Sequence, residues 1–547
     1  MIVVLISLLF GGLFAACYFY LVRNYNYWRN QGIPCAKGLL LGLGHMWPVV
    51  SLKMSFSDFI QQIYKDHPQH SMVGIYNKTQ PALVIRDPEL VKIVMESNFD
   101  SFSENLVKVD PQLDPLFAVN PFFATGELWF ISRKRLSLAF TSKRLKLMYS
   151  CVEQGCKKFD DYLDRKMSKS NGIIELEMRN LFCKYTGEVV AKAVFGVEGF
   201  CFDENHPTSF VTMGKLIFDP TPLSKIAQTF NFFLPEFNKI LKIPFVPKQV
   251  DYFFRRIVKE VLHVRQQEIE HKNNFLQLML DLTKSEGKQI DEDFLTAHAF
   301  TFFSDGYDTS SITLSFVAYQ LARHPHIQQR LRDEVETVFD KYDGQLTYDS
   351  LKEMTYMDQV ISESQRHYTT SGTIAKICTK EFELKGSDGL CCRVKPGTQI
   401  IISIFGLHKD PKYWPDADVY DPDQFSADRK SEITKFTFLP FSAGPRVCVG
   451  MRMALLQLKA CLATVIRKYI LEVSPKIQEP LRMQPGSFMT APVGGIWLYL
   501  RQKIRRSCLL RETCISLESS ESPRARSIVE VKQQFNAVMD GCQRYTA

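Results

Sequence analysis

The first pattern along the chain is an unbroken apolar stretch, Ile2 to Val22, with no charged residue. As a helix it meets the ~20 residues a bilayer core requires, which predicts a transmembrane anchor over residues 1–24. Arg23 and Arg29 follow the stretch, and basic residues at the end of a span mark its cytoplasmic side. No basic residue precedes it, and it is longer than the apolar core of a secretory signal. Ala15-Ala16 supplies small residues near a cleavage point, so a cleaved leader stands as the alternative. Gly32-Ile33-Pro34 then breaks any continuing helix. From there to about Leu500, helical and strand periodicities alternate without linker composition, which predicts one domain over 25–502.

Within that domain one helix stands apart. Asp291 is a good N-cap and His324-Pro325 a stop. The roughly 33 residues between them would cross a domain of about 50 Å. From Ala297 to Phe316 the only acids are Asp305 and Asp308, and no Lys or Arg is present. A helix this apolar on every side is expected in the interior, where two acids need a reason to be there. The Phe- and Pro-rich stretch Phe218 to Val246 reads either as core or as a second shallow membrane contact. Beyond Lys503 periodicity is lost, and 503–547 is expected to be a disordered tail.

Composition narrows the field. Lys and Arg number 67 against 59 Asp and Glu, a net charge of +8. These charges are spread along the chain, which speaks against a nucleic-acid patch and is compatible with an acidic partner or an anionic membrane surface. The 14 cysteines follow no regular spacing, as expected of reduced thiols inside the cell.

One cysteine sits in a distinctive setting, Phe441-Ser-Ala-Gly444-Pro-Arg446-Val-Cys448-Val-Gly450. A thiolate ligand must be deprotonated, and backbone N–H groups in a glycine-permitted turn stabilise the anion. The helical run after Cys448 would aim its positive end at the sulfur. Phe441 can shield it, and Arg446 offers a fork of donors to a carboxylate.

This segment resembles the haem-binding loop of the cytochrome P-450 family, and further family patterns follow over roughly residues 25–502. The resemblance implies a mainly α fold with a small β-region, in which haem b lies buried between the long central helix and the Cys448 loop. It makes Cys448 the axial iron ligand, with Phe441, Gly444 and Gly450 shaping the loop. Trp129 and Arg133 match the family's WxxxR and, with Arg446, would reach a haem propionate. Lys376 stands where the family has a propionate-binding arginine. Glu363 and Arg366 match its ExxR, with Gln424 of Pro422-Asp423-Gln424-Phe425 as the implied third partner in place of arginine. In Asp305-Gly306-Tyr307-Asp308-Thr309, which is similar to the family's oxygen-activating motif, Thr309 would hydrogen-bond dioxygen and Asp308 would relay protons. Asp305 replaces a small residue and is expected to border the distal pocket, with Lys376 as one conceivable partner. By the same analogy the pocket walls come from Ser103 to Phe123, Ala297 to Thr309, Thr369 to Thr373 and Ser487 to Met489.

The closest flavour is the insect microsomal, xenobiotic-metabolising group. The implied reaction inserts one oxygen atom from dioxygen into a lipophilic small molecule. Electrons would come from NADPH through a flavoprotein reductase, with cytochrome b5 as a further donor, at the cytoplasmic face of the endoplasmic reticulum membrane. Lys134, Arg135, Lys143, Arg144, Lys146 and Lys459 would face that acidic partner or simply form a solvated surface. Two other readings stay open: a haem-thiolate isomerase or dehydratase, and a haem protein that binds a ligand without turnover.

Overall fold

The computed structural model describes residues 1–219, 238, 242–267, 273–287, 289–487 and 489–503. The chain divides into two compact units, Met1–Arg501 and Gln502–Ala547. The first is mostly helical, with three small sheets. The expected tail lies outside the described residues from 504 onward, as do 220–237 and 239–241 of the Phe- and Pro-rich stretch. The ends of that stretch turn inward: Phe218 stacks near Tyr307, and Phe245 meets Phe117 edge-on at 5.5 Å.

The apolar N-terminus forms a helix, Ile2–Val22, none of whose spanning window is buried in the protein. Arg23 stacks over the ring of Tyr20 at 4.0 Å, the pairing of aromatic and basic residues typical of a membrane boundary. The fold proper takes over at Trp28, which is fully buried and donates its indole N–H to the Ile75 carbonyl at 2.9 Å.

Five strands make the main sheet, in the order Met72–Asn77, Gln80–Ile85, Gln399–Ser403, Thr373–Ile377 and Glu104–Asn105. Only the second and third of these are parallel, in the register Ala82 opposite Gln399. The sheet carries Asn105 and Lys376, paired across adjacent strands, to the edge of the functional site.

The long helix spans Glu292–Arg323, one residue inside its expected N-cap. Asp291 caps it by accepting the Phe294 N–H, Glu292 and Asp293 occupy its positive end, and Arg323 its negative end. Nearly all of its residues between Leu295 and Ala322 are buried. Its closest neighbour is the helix Met178–Val190. Gly306 permits that approach, because a Cβ there would lie 3.2 Å from Val190. The helix Met451–Lys468 begins just after Cys448 and packs against both of these helices.

Candidate active site

The loop 441–450 is built around two positive-φ positions, Ser442 and Gly444. At Gly444 the backbone runs so close to another segment that a Cβ would lie 1.8 Å from the Met95 carbonyl oxygen, so no other residue fits. The Cys448 N–H closes the loop on the Phe441 carbonyl at 2.9 Å. Gly450 caps the helix that follows, and the N–H groups of Gly450 and Met451 donate to the Cys448 sulfur. Burial raises the Cys448 pKa; the two N–H groups and the Arg133 guanidinium oppose it, while the negative charge of Asp305 adds to it. Cys448 and Asp305 are each enclosed by protein, yet both keep accessible surface. The Asp305 charge also acts on Cys448, so we read the loop and the long helix as presenting the two to one internal space.

Three cations rim that space. Arg133 donates to the Val447 carbonyl at 2.6 Å. Arg446 donates to the carbonyls of Ser103, Pro121 and Ala124 and lies 4.7 Å over the Trp129 ring. Lys376, 1% exposed, donates to Asn105 Oδ1 at 2.9 Å. Burial, reinforced by the charge of Arg446, pushes the lysine down to about 7, and burial holds Arg446 at about 10. Among the described residues no carboxylate is hydrogen-bonded to any of the three, which is costly unless an anion completes the set.

On the long helix the three motif residues point differently. Thr309 donates its hydroxyl to the Asp305 carbonyl one turn back at 2.6 Å, the common habit of a mid-helix threonine, which leaves its lone pairs outward. Asp308, 1% exposed, is held by Arg179 at 3.0 and 2.6 Å. Arg179 also binds Asp219. Burial raises the Asp308 carboxyl and Arg179 lowers it. Asp305 takes both of its hydrogen bonds on Oδ1, from Asn120 Nδ2 at 2.9 Å and Ser304 Oγ at 3.1 Å. The expected partnership of Asp305 with Lys376 is not formed, since the lysine is engaged by Asn105 on the sheet.

Glu363 and Arg366 are fully buried and paired through two bonds of 2.7 Å. Arg366 further donates to the carbonyls of His408, Ala417 and Val419 and lies 5.3 Å from the Trp414 ring. The pair's other side-chain partner is His367, 3.2 Å from Glu363, together with the Asp421 N–H at 3.0 Å. Gln424 is buried nearby, but among the described residues no hydrogen bond joins it to either member. Its backbone turn holds Asp421 in place instead, through the Gln424 N–H to Asp421 carbonyl bond. Sequence reasoning singled out none of Arg179, Asn120, Asn105 and His367, although Asn105 and Asn120 lie in the segment Ser103 to Phe123 expected to wall the pocket. Only His367 had a signal, four residues after Glu363 on the same helix face.

The family model for Cytochrome P450 matches residues 38–499, nearly the whole described domain. The chain belongs to the cytochrome P450 family. It is 32% identical to Cytochrome P450 9e2 of Blattella germanica, over 88% of this chain and 94% of that protein. It is also 32% identical to Cytochrome P450 6a2 of Drosophila melanogaster, over 87% and 95%. Identity to the Probable cytochrome P450 28d1 of the same fly is 30%, over 89% and 97%. This P450 is thus a haem-dependent monooxygenase whose cofactor is iron protoporphyrin IX, and the family works with a redox partner on lipophilic substrates. The residues present fit that cofactor: a thiol under two N–H donors suits iron, and Arg133, Arg446 and Lys376, bonded to no carboxylate among the described residues, suit its carboxylates.

Proposed function

We propose that this P450 oxidises lipophilic small molecules at the endoplasmic reticulum membrane, with electrons from NADPH through a flavoprotein reductase and cytochrome b5 as a further donor. The observation that carries the reading is Cys448, cradled by Gly450 and Met451 N–H groups and facing the same enclosed space as the Asp305–Thr309 turn. Cys448 would ligate the iron; Phe441, Gly444 and Gly450 shape its loop. Arg133, Arg446, Trp129 and Lys376 would hold the propionates. When bound there, haem supplies dioxygen reduction and oxygen-atom transfer, which the side chains alone cannot perform. The Thr309 hydroxyl, pinned on Asp305, offers its lone pairs as a proton acceptor beside the substrate. Asp308, 1% exposed, would relay protons, while Arg179 at 20% exposure holds it in place and ties it to Asp219 at 42% without itself giving up a proton. Glu363, Arg366 and His367 hold the segment 417–421 in place, with Gln424 bracing it from behind.

The reading is tested by following NADPH consumption and product with purified reductase and a panel of lipophilic compounds. Thr309→Ala is expected to keep substrate binding and lower product per NADPH by about tenfold or more, with the electrons diverted to hydrogen peroxide. Turnover without reductase would mark an isomerase or dehydratase instead, and ligand binding without NADPH use a binding protein.

We further propose that residues 1–24 anchor the domain 25–502 with its catalytic part on the cytoplasmic face, as Arg23 and Arg29 favour. Full-length protein is expected to stay in the membrane pellet through carbonate extraction, while a chain lacking residues 1–25 is released in large part. Release of the full-length protein, or a mature form starting near Tyr18, would remove the anchor. For reductase docking, exposed Lys134 and Lys143 are the better candidates, while Lys146, exposed as well, is paired with Asp349 at 3.5 Å. Arg135 is engaged by Glu286, and Lys459, 7% exposed, is paired with Asp358 at 2.9 Å, so both serve the fold.

A further inference from the structure

The long helix carries two buried-side acids with opposite provision. Asp308 has its cation built in, at Arg179. Among the described residues Asp305 has none: its partners there are the neutral amide of Asn120 and the hydroxyl of Ser304, and both donate to Oδ1. Among the described residues nothing donates to Oδ2, and the side chain keeps accessible surface inside an enclosure. The nearby rim cations are committed elsewhere, Lys376 to Asn105 and Arg446 to three carbonyls. Burial pushes the Asp305 carboxyl up to about 6, with Asn120 and Ser304 pulling it down, so it is mostly ionised at neutral pH. An ionised carboxylate with one open oxygen in an enclosed site is poorly matched by hydrocarbon and well matched by a cation. The orientation is fixed as well. Asn120, 1% exposed, spends its own Oδ1 on the Phe122 N–H, so its amide cannot flip without losing a bond. That loop continues into Phe122 and Phe123, whose rings sit 5.1 Å apart and whose faces favour a cation.

We propose that Asp305 is a specificity residue for lipophilic amines, its free carboxylate oxygen taking the ammonium group while the hydrocarbon body of the substrate fills the rest of the cavity. The inference rests on the monooxygenase reading and names a substrate class for that site. The discriminating experiment uses the full-length haem protein and a matched pair of probes, 4-phenyl-N,N-dimethylbutylamine and its uncharged isostere 5-methylhexylbenzene. Dissociation constants come from equilibrium dialysis, a readout independent of turnover. The parent should bind the amine about ten- to a hundredfold more tightly than the hydrocarbon, the worth of one charge-assisted hydrogen bond in a shielded site. Asp305→Asn should erase most of that ratio while leaving hydrocarbon binding within about twofold, and Asp305→Glu should retain it. The reduced carbon monoxide spectrum is recorded on the same preparations. Absence of a thiolate-type spectrum in the parent would overturn the monooxygenase reading. A thiolate-type spectrum with equal amine-to-hydrocarbon ratios in parent and Asp305→Asn would overturn the amine inference alone.

Discussion

Replacing Cys448 by alanine or serine is expected to abolish the red-shifted Soret band of the reduced carbon monoxide complex and bring turnover to background. The expectation follows from what surrounds the sulfur. Burial opposes the thiolate, and the fold compensates with the N–H groups of Gly450 and Met451 and the Arg133 guanidinium. Such a set stabilises an anion at one atom and has no use beside a hydroxyl or a methyl group. Neither variant disturbs the bond from the position 448 N–H to Phe441, which is made by backbone. The chain should therefore still fold, with circular dichroism close to the parent's, and haem content should drop. A Cys448→Ala protein that kept the red-shifted band would overturn the assignment.

The second large effect is expected at Glu363. Glu363→Ala strands a fully buried guanidinium whose remaining bonds go to three backbone carbonyls and the His367 ring nitrogen. Breaking a buried pair from one side costs about 3–5 kcal/mol, a large part of the roughly 5–15 kcal/mol that holds a domain folded. Thermal or denaturant midpoints of the haem-loaded protein should fall accordingly. Replacing both members with apolar residues, Glu363→Leu with Arg366→Met, should cost less than the single change, because no charge is left behind. The pair also sets an acid limit. Burial raises the Glu363 carboxyl, but Arg366 and His367 outweigh it, and the folded value lies below the ordinary one. A depressed carboxyl contributes its stabilisation above the unfolded pKa and loses it as pH falls through the folded one. This contribution is thus intact at neutral pH and lost below about pH 4. Glu363→Gln should flatten that acid limb of the stability curve.

Much of this was legible in the sequence where the chemistry is local. The bounds of the long helix follow from an N-cap acid and a His-Pro stop, and the structure has Asp291 as the N-cap and Arg323 as the last helical residue. The Cys448 loop and the Glu363–Arg366 spacing are equally local. What could not be read are the partners that folding brings from far along the chain. Asn120 meets Asp305 across 185 positions, and Arg179 meets Asp308 across 129. Neither residue carries a spacing or a neighbour that distinguishes it from an ordinary polar side chain. Gln424 illustrates the converse. Its place in a known pattern suggested a bond to the Glu363–Arg366 pair, yet the histidine next to Arg366 was already within reach. Lys376 was singled out by pattern, but only the folded sheet shows that Asn105 holds it.

The loop Asn120–Ala124 touches everything that matters here. Its Asn120 amide grips Asp305, its Pro121 and Ala124 carbonyls take Arg446, and its Phe122 carbonyl accepts from Asn105, which in turn receives Lys376. In the roles proposed for Asp305 and Arg446, ligand preference and cofactor retention would both hang on one short ribbon of backbone. In an evolving lineage such a segment is not freely adjustable. A substitution selected there for a new ligand would also strain the proposed grip on the prosthetic group, so adaptive changes in it should arrive together with compensating changes on the sheet edge or the Cys448 loop.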